Sequence, residues 1–241
     1  MLTRLTHLAL EAKDLDAARA FYEERFGLSP TRETDAECRL SVGDIELRLR
    51  RPTDAPRGGL HTHFALSAAP GTLSAWRERL ADLDPEEVDF GGYRSLYVYD
   101  PDGNCVEIGG EEGGGAEADA PVGIFEVVLE VADLDAAEAT YTALGFEPVD
   151  RGESRRRVRL RGPMDLELWE PQLGLADARG GVHVDIGFET ADPAGAAEMV
   201  AEWTTARAAV DGGVRVRDGD GHWVTFRHPE TERTVDVSVT D

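Results

Sequence analysis

The chain has 241 residues, 41% of them hydrophobic and 30% charged, which suits one large or two small folded domains and rules against a membrane-spanning or wholly disordered protein. Its formal net charge of −23 repels phosphate backbones and anionic bilayers, so nucleic acid and membrane are poor partners. Two cysteines, Cys38 and Cys105, are too few for a disulfide framework, and Met1 to Leu10 lacks the basic stretch and apolar run of a signal peptide, so a cytoplasmic location is expected. Lys13 is the only lysine, and the acid excess beside it points to a salt-adapted, halophilic setting.

In chain order, an alternating strand at Thr3–Glu11 leads into a helix opened by Asp14 and stopped near Gly27, and short strands then run to IELRLR at Ile45–Arg50. A second unit repeats the order. It has a strand at His61–Ser67, a helix with Leu73, Trp76, Leu80 and Leu83 at helical spacing, and strands around Leu96–Tyr99 and Asn104–Ile108. Asp100-Pro101-Asp102-Gly103 is a tight-turn sequence, with proline presetting φ and glycine accepting a positive one. EEGGGAEADAP, Glu111–Pro121, has nothing to bury and reads as a linker.

After the linker the order recurs. LTHLALEAKDLDAARAFY from Leu5 matches FEVVLEVADLDAAEATY from Phe125, and GDIELRL from Gly43 matches MDLELWE from Met164. GGLHTHFAL from Gly58 matches GGVHVDIGF from Gly180, and LYVYDPDGNCVEI from Leu96 matches VRVRDGDGHWVTF from Val214. The expected architecture is α+β: tandem domains at 1–112 and 122–241 joined by a linker at 113–121, each a pair of βαβββ modules curled around its own cup, so that four modules form cup-shaped mixed sheets with helices on the outer faces. TVDVSV, Thr234–Val239, alternates like an added edge strand.

Strand side chains alternate faces, so parity selects which can converge. His7, Glu46, His63 and Glu107 all lie opposite the apolar faces of their strands, and together they make a nitrogen and oxygen donor set suited to Fe, Mn, Co, Ni or Zn. Cys105 shares the face of Glu107 and is expected to be a buried thiol, while His222 and His228 are expected at the surface.

LTHLALEAKDLDAARAFYEERFGL, HTHFAL and YVYDPDGNCVEI, in this order, resemble the vicinal oxygen chelate superfamily of glyoxalase I, extradiol dioxygenases, fosfomycin-resistance thiol transferases and bleomycin-resistance proteins. The resemblance spans nearly the whole chain and implies metal ligands at His7, Glu46, His63 and Glu107, with a divalent ion as cofactor and a small molecule as substrate. The corresponding residues of the second half, Glu126, Glu167, Asp185 and Thr225, depart from the pattern and imply a degenerate site, with His183 able to replace one of them.

If all four first-half residues bind, two octahedral positions stay open, which suits a glyoxalase-like lyase or isomerase with Glu46 or Glu107 as base. If Glu46 instead pairs with Arg48, His7, His63 and Glu107 form the two-histidine, one-carboxylate triad of an Fe(II) extradiol dioxygenase, and Tyr97 resembles a tyrosine of that signature. That signature's catalytic histidine is missing near Val88–Phe90, and His61 is the candidate replacement. Ala9, where thiol transferases resemble one another in having threonine, disfavours that class. A metal- or ligand-binding protein without catalysis is the reading outside enzymology, and either a monomer or a homodimer fits the module pairing.

Overall fold

The computed structural model describes residues 1–52, 63–111, 119–170 and 185–229. The first module is β1 (Leu2–Glu11), α1 (Leu15–Phe26), β2 (Ser29–Glu33), β3 (Glu37–Val42) and β4 (Ile45–Arg50). The second is β5 (His63–Ser67), α2 (Leu73–Arg79), β6 (Glu86–Asp89), β7 (Tyr93–Tyr99) and β8 (Cys105–Glu111). The third is β9 (Gly123–Glu130), α3 (Leu134–Ala143), β10 (Glu147–Arg151), β11 (Arg157–Arg161) and β12 (Asp165–Trp169). The fourth is β13 (Asp185–Thr190), α4 (Pro193–Met199), β14 (Thr204–Val210), β15 (Gly213–Asp218) and β16 (Trp223–Arg227). The four βαβββ modules read from the sequence are present.

The repeated Asp-Leu-Asp-Ala-Ala has a capping role. The Asp14 carboxylate accepts from the backbone N–H of Asp16 and Ala17 at 3.2 and 3.1 Å, and Asp133 accepts from Ala136 at 3.0 Å. Gly27 closes α1 in the left-handed conformation, φ 65°, a position that favours glycine.

The strands form two eight-stranded sheets, in the orders β14-β15-β16-β13-β1-β4-β3-β2 and β10-β11-β12-β9-β5-β8-β7-β6. The first cup therefore joins modules one and four through antiparallel β1 and β13, and the second joins modules two and three through antiparallel β5 and β9. This corrects the expectation that each half of the chain curls into its own cup. Alternation fixes which face a side chain occupies, but the hydrogen-bonded edge decides which module completes the sheet.

The two modules of each half meet instead in the layer behind the sheets. Tyr22 and Phe26 of α1 pack on Phe64 and Trp76, with ring centroids 6.4 and 5.9 Å apart, and the Tyr22 hydroxyl donates to Asp100 at 2.7 Å. In the other half Phe146 packs on Phe188 at 5.7 Å, and the backbone N–H of Ala132 donates to Asp220. Each of these buried rings stabilises the fold by roughly 1.5–3 kcal/mol. The loop from Asp218 to His222 copies the Asp100–Asn104 turn, so His222 is buried, its backbone N–H donating to Asp218 and its Nε2 lying 3.1 Å from the Glu130 carbonyl. The surface placement expected for His222 is thus corrected, while His228 is exposed. The expected edge strand at 234–239 and most of the linker lie outside the described residues. No helix among the described residues is long and apolar enough to cross a membrane.

Candidate metal centre in the second cup

Register identifies the equivalent positions of the four modules. On the parallel pairs, His63 faces Cys105 and Ala65 faces Glu107, while Glu126 faces Asp165 and Val128 faces Glu167. In the first cup His7 faces Glu46 and Ala9 faces Arg48, while Asp185 faces Trp223 and Gly187 faces Thr225. His7, His63, Glu126 and Asp185 are therefore equivalent, and so are Arg48, Glu107, Glu167 and Thr225. Glu46 stands two residues before the position of Glu107. A slip of two residues keeps the face, so parity does not detect it.

The four residues grouped in the sequence are consequently divided. His63 and Glu107 lie in the second cup, and His7 and Glu46 lie in the first. Glu46 is bound by Arg48 through both Nε and Nη2, with Arg39 at 3.7 Å. His7 is fully buried, with Nε2 3.6 Å from Asp185, and burial lowers its pKa to about 4 despite that carboxylate. Burial raises Asp185, but His7, Arg50 at 2.9 Å and the Thr225 hydroxyl at 2.6 Å more than offset it and hold the carboxyl below the ordinary range. With His7 neutral near pH 7, Arg50 and Thr225 are the partners that keep Asp185 ionised there.

In the second cup, His63, Glu107 and Glu126 each offer a ligand atom within 4.8 Å of the others, and all three are buried. His63 Nε2 lies 3.0 Å from Glu107 Oε2, and the Ser95 hydroxyl donates to Glu107 Oε1 at 2.5 Å. Glu167, also buried, accepts from Trp169 Nε1 at 2.7 Å and lies 3.3 Å from Arg157. Arg159 stands 2.6 Å from Glu126 and 3.5 Å from Glu167. Burial, followed by Glu167, pushes the Glu126 carboxyl up to about 8 against the opposing pull of Arg159. Arg159 thus does not fully offset the cost of ionising Glu126 in this buried group, and a bound cation would relieve that cost. The donor set fits a borderline divalent ion.

The sequence places Glu126 and Glu167 in a half expected to be degenerate, since neighbouring modules three and four read as partners. The signal that finds them is the pairing of modules two and three. Tyr97 faces Glu107 across β7 and β8, with its ring 5.6 Å from that of His63, and burial together with Glu107 raises its hydroxyl well above the usual range. Burial and Glu107 likewise push the Cys105 thiol up to about 12, so it stays protonated. Two residues beyond Glu107, a side chain on Gly109 would bring its Cβ within 2.6 Å of the Tyr93 hydroxyl, so glycine is what admits that ring. His61 and His183 lie outside the described residues.

These side chains line a cavity of about 850 Å³, walled by Phe90, Tyr93, Tyr97, Phe125 and Trp169, with Arg155 stacked 4.1 Å above the Trp169 ring. The size falls within the range of small-molecule sites.

Residues 4–108 match the Glyoxalase/Bleomycin resistance protein/Dioxygenase superfamily. A metallothiol transferase, FosB, of Lysinibacillus sphaericus is 27% identical over 111 residues, covering 43% of this chain and 79% of that protein. Among solved structures, a Bacillus subtilis protein provisionally described as a dioxygenase superposes with a TM-score of 0.74 at 15% identity, covering 95% of this chain and 86% of its own. Glyoxalase I of Zea mays superposes with a TM-score of 0.66 at 20% identity, covering 92% and 91%. These two likenesses establish a shared tandem fold.

Proposed function

We propose that the chain is a tandem member of the vicinal oxygen chelate superfamily and a divalent-metal-dependent, glyoxalase-like lyase or isomerase acting on a small substrate with adjacent oxygens, a reading supported by the family match over residues 4–108 and by the shared tandem fold. The observation that carries this reading is the convergence of His63, Glu107 and Glu126, with Glu167 alongside, at the floor of one cavity. A bound ion would supply Lewis-acid stabilisation of charge on the substrate oxygens. His63, Glu107 and Glu126 would hold that ion, with Glu167 beside them.

Glu126 is the best candidate base. It lies in the cavity beside His63 and Glu107, and a carboxylate there that leaves the ion would move a proton between neighbouring substrate carbons. Glu107, oriented by Ser95 and His63, is the second candidate. Glu46 drops out of the role, since it lies in the other cup under Arg48. Tyr97 and Trp169 flank the imidazole and close the wall around the substrate.

The extradiol alternative needs two histidines and one carboxylate on one ion, and the separation of His7 from His63 leaves the second cup with a single imidazole among the described residues. The likeness to a metallothiol transferase makes thiol addition to an electrophile the second reading. One panel on metal-loaded protein separates these: methylglyoxal with a thiol, the same thiol with an epoxide, and oxygen uptake with catechols. Thiol-dependent loss of methylglyoxal that Glu126→Gln abolishes is expected. Turnover in the epoxide or catechol assay alone overturns the isomerase reading, and tight metal binding without turnover in any assay makes this a binding protein.

A further inference from the structure

The first cup carries the opposite charge. Alternation with buried Cys38, Leu47, Leu49, Val216 and Phe226 puts Arg39, Arg48, Arg50, Arg215, Arg217 and Arg227 on its concave face. Acids absorb part of this charge: Glu37 binds Arg39 and Arg50 at 2.7 Å each, Glu46 binds Arg48, Asp185 binds Arg50 at 2.9 Å with Arg215 at 3.8 Å, and Glu11 stands opposite Arg50 in the β1–β4 ladder. Glu189 is taken by Arg4. Among the described residues, no carboxylate pairs with Arg217 or Arg227, although the chain holds 48 acids against 25 basic residues.

Buried donors here also lack hydrogen-bond partners: Nε of Arg215, Arg217 and Arg227. Burial lowers the Arg48 pKa and, with Glu46 opposing, the neighbouring charges of Arg39 and Arg227 lower it further, a sign of crowded guanidinium groups. Arg215 lies 4.1 Å over the Trp223 ring and Arg217 lies 5.9 Å from it, so the indole props two planar forks at the cup wall. Both arginines, and Arg227, are half-buried with surface left to offer.

We propose that the first cup is a second ligand site, one that takes a small oxyanion, either a dicarboxylate or a phosphate, on Arg215, Arg217 and Arg227. Guanidinium forks match carboxylate and phosphate geometry in pairs, and an anion between them removes the mutual repulsion that the local acids leave in place. The site is independent of the metal cup, which lies in the other sheet.

Calorimetric titration of the full chain with succinate and, separately, with inorganic phosphate, at ionic strength fixed by sodium chloride, tests this. Saturable binding of at least one anion is expected, and which of them binds identifies the ligand chemistry. Arg217→Gln with Arg227→Gln weakens it about tenfold or more, since each lost contact is charge-assisted. Arg217→Lys, which keeps the charge and loses the fork, binds with intermediate affinity, and its circular dichroism matches wild type. His63→Ala, in the metal cup, binds as wild type. Absence of saturable binding for both anions, full binding by the double variant, or loss of binding in His63→Ala overturns the proposal.

Discussion

At four equivalent positions the second cup carries His63, Glu107, Glu126 and Glu167, and the first carries His7, Arg48, Asp185 and Thr225. One exchange of sign, carboxylate for guanidinium at the position of Arg48, accompanies a change in how the whole cup is neutralised. In the first cup Asp185 has Arg50 and Thr225 within hydrogen-bond reach, so its charge is met from inside the protein. In the second, Arg159 serves Asp165 as well as Glu126 and leaves the Glu126 carboxyl at about 8. The same scaffold thus produces one cup that satisfies its acids with arginine and one that holds a raised carboxyl over a cavity, and among the described residues the close group of possible metal donors lies in the second.

The largest effect that would break this comparison is on metal affinity. Glu107→Ala and Glu126→Ala each weaken Ni2+ binding by more than about 100-fold, because each removes a charged donor from a buried set. His7→Ala and Glu46→Ala leave it within about twofold. Competition against a chromophoric chelator measures all four variants.

The next effect is on acid stability and belongs to the first cup. His7 titrates at about 4 in the fold against 6.5 for an ordinary histidine, because burial disfavours the imidazolium. Between those values the unfolded chain takes up a proton that the folded chain refuses. The stability is complete above pH 6.5, declines as pH falls and levels off below about 4. The total is on the order of 3 kcal/mol. Urea midpoints across this range check the slope, and His7→Gln flattens it.

A smaller effect sharpens the second cup. Ser95→Ala removes the hydroxyl that fixes Glu107 and lowers metal affinity by about tenfold while leaving the anion titration of the first cup unchanged.

Much of the fold was legible because its signals are local. Asp14 and Asp133 announce their helices as caps, Gly27 announces a stop, and the Asp100 turn recurs at Asp218. The inward faces were legible too, since apolar alternation marks Leu47 and Leu49, or Val106 and Ile108, as the helix side. Which modules share a sheet was not legible, because backbone hydrogen bonds between β5 and β9, or β1 and β13, leave no trace in side-chain pattern. His63 and Glu107 were therefore found as a pair, whereas His7 and Glu46 were grouped with them from the wrong cup. The two-residue offset of Glu46 from the position of Glu107 escaped for the same reason: parity repeats every second residue, and only the ladder register distinguishes Glu46 from Arg48.

Crystals of the protein soaked in Co2+ or Ni2+ and measured at the metal's absorption edge test the central assignment most directly. The predicted anomalous map holds one strong peak per chain, within bonding distance of His63 Nε2 and the Glu107 and Glu126 carboxylates. A peak at His7, or a second cup without an ion at saturating metal, would contradict it.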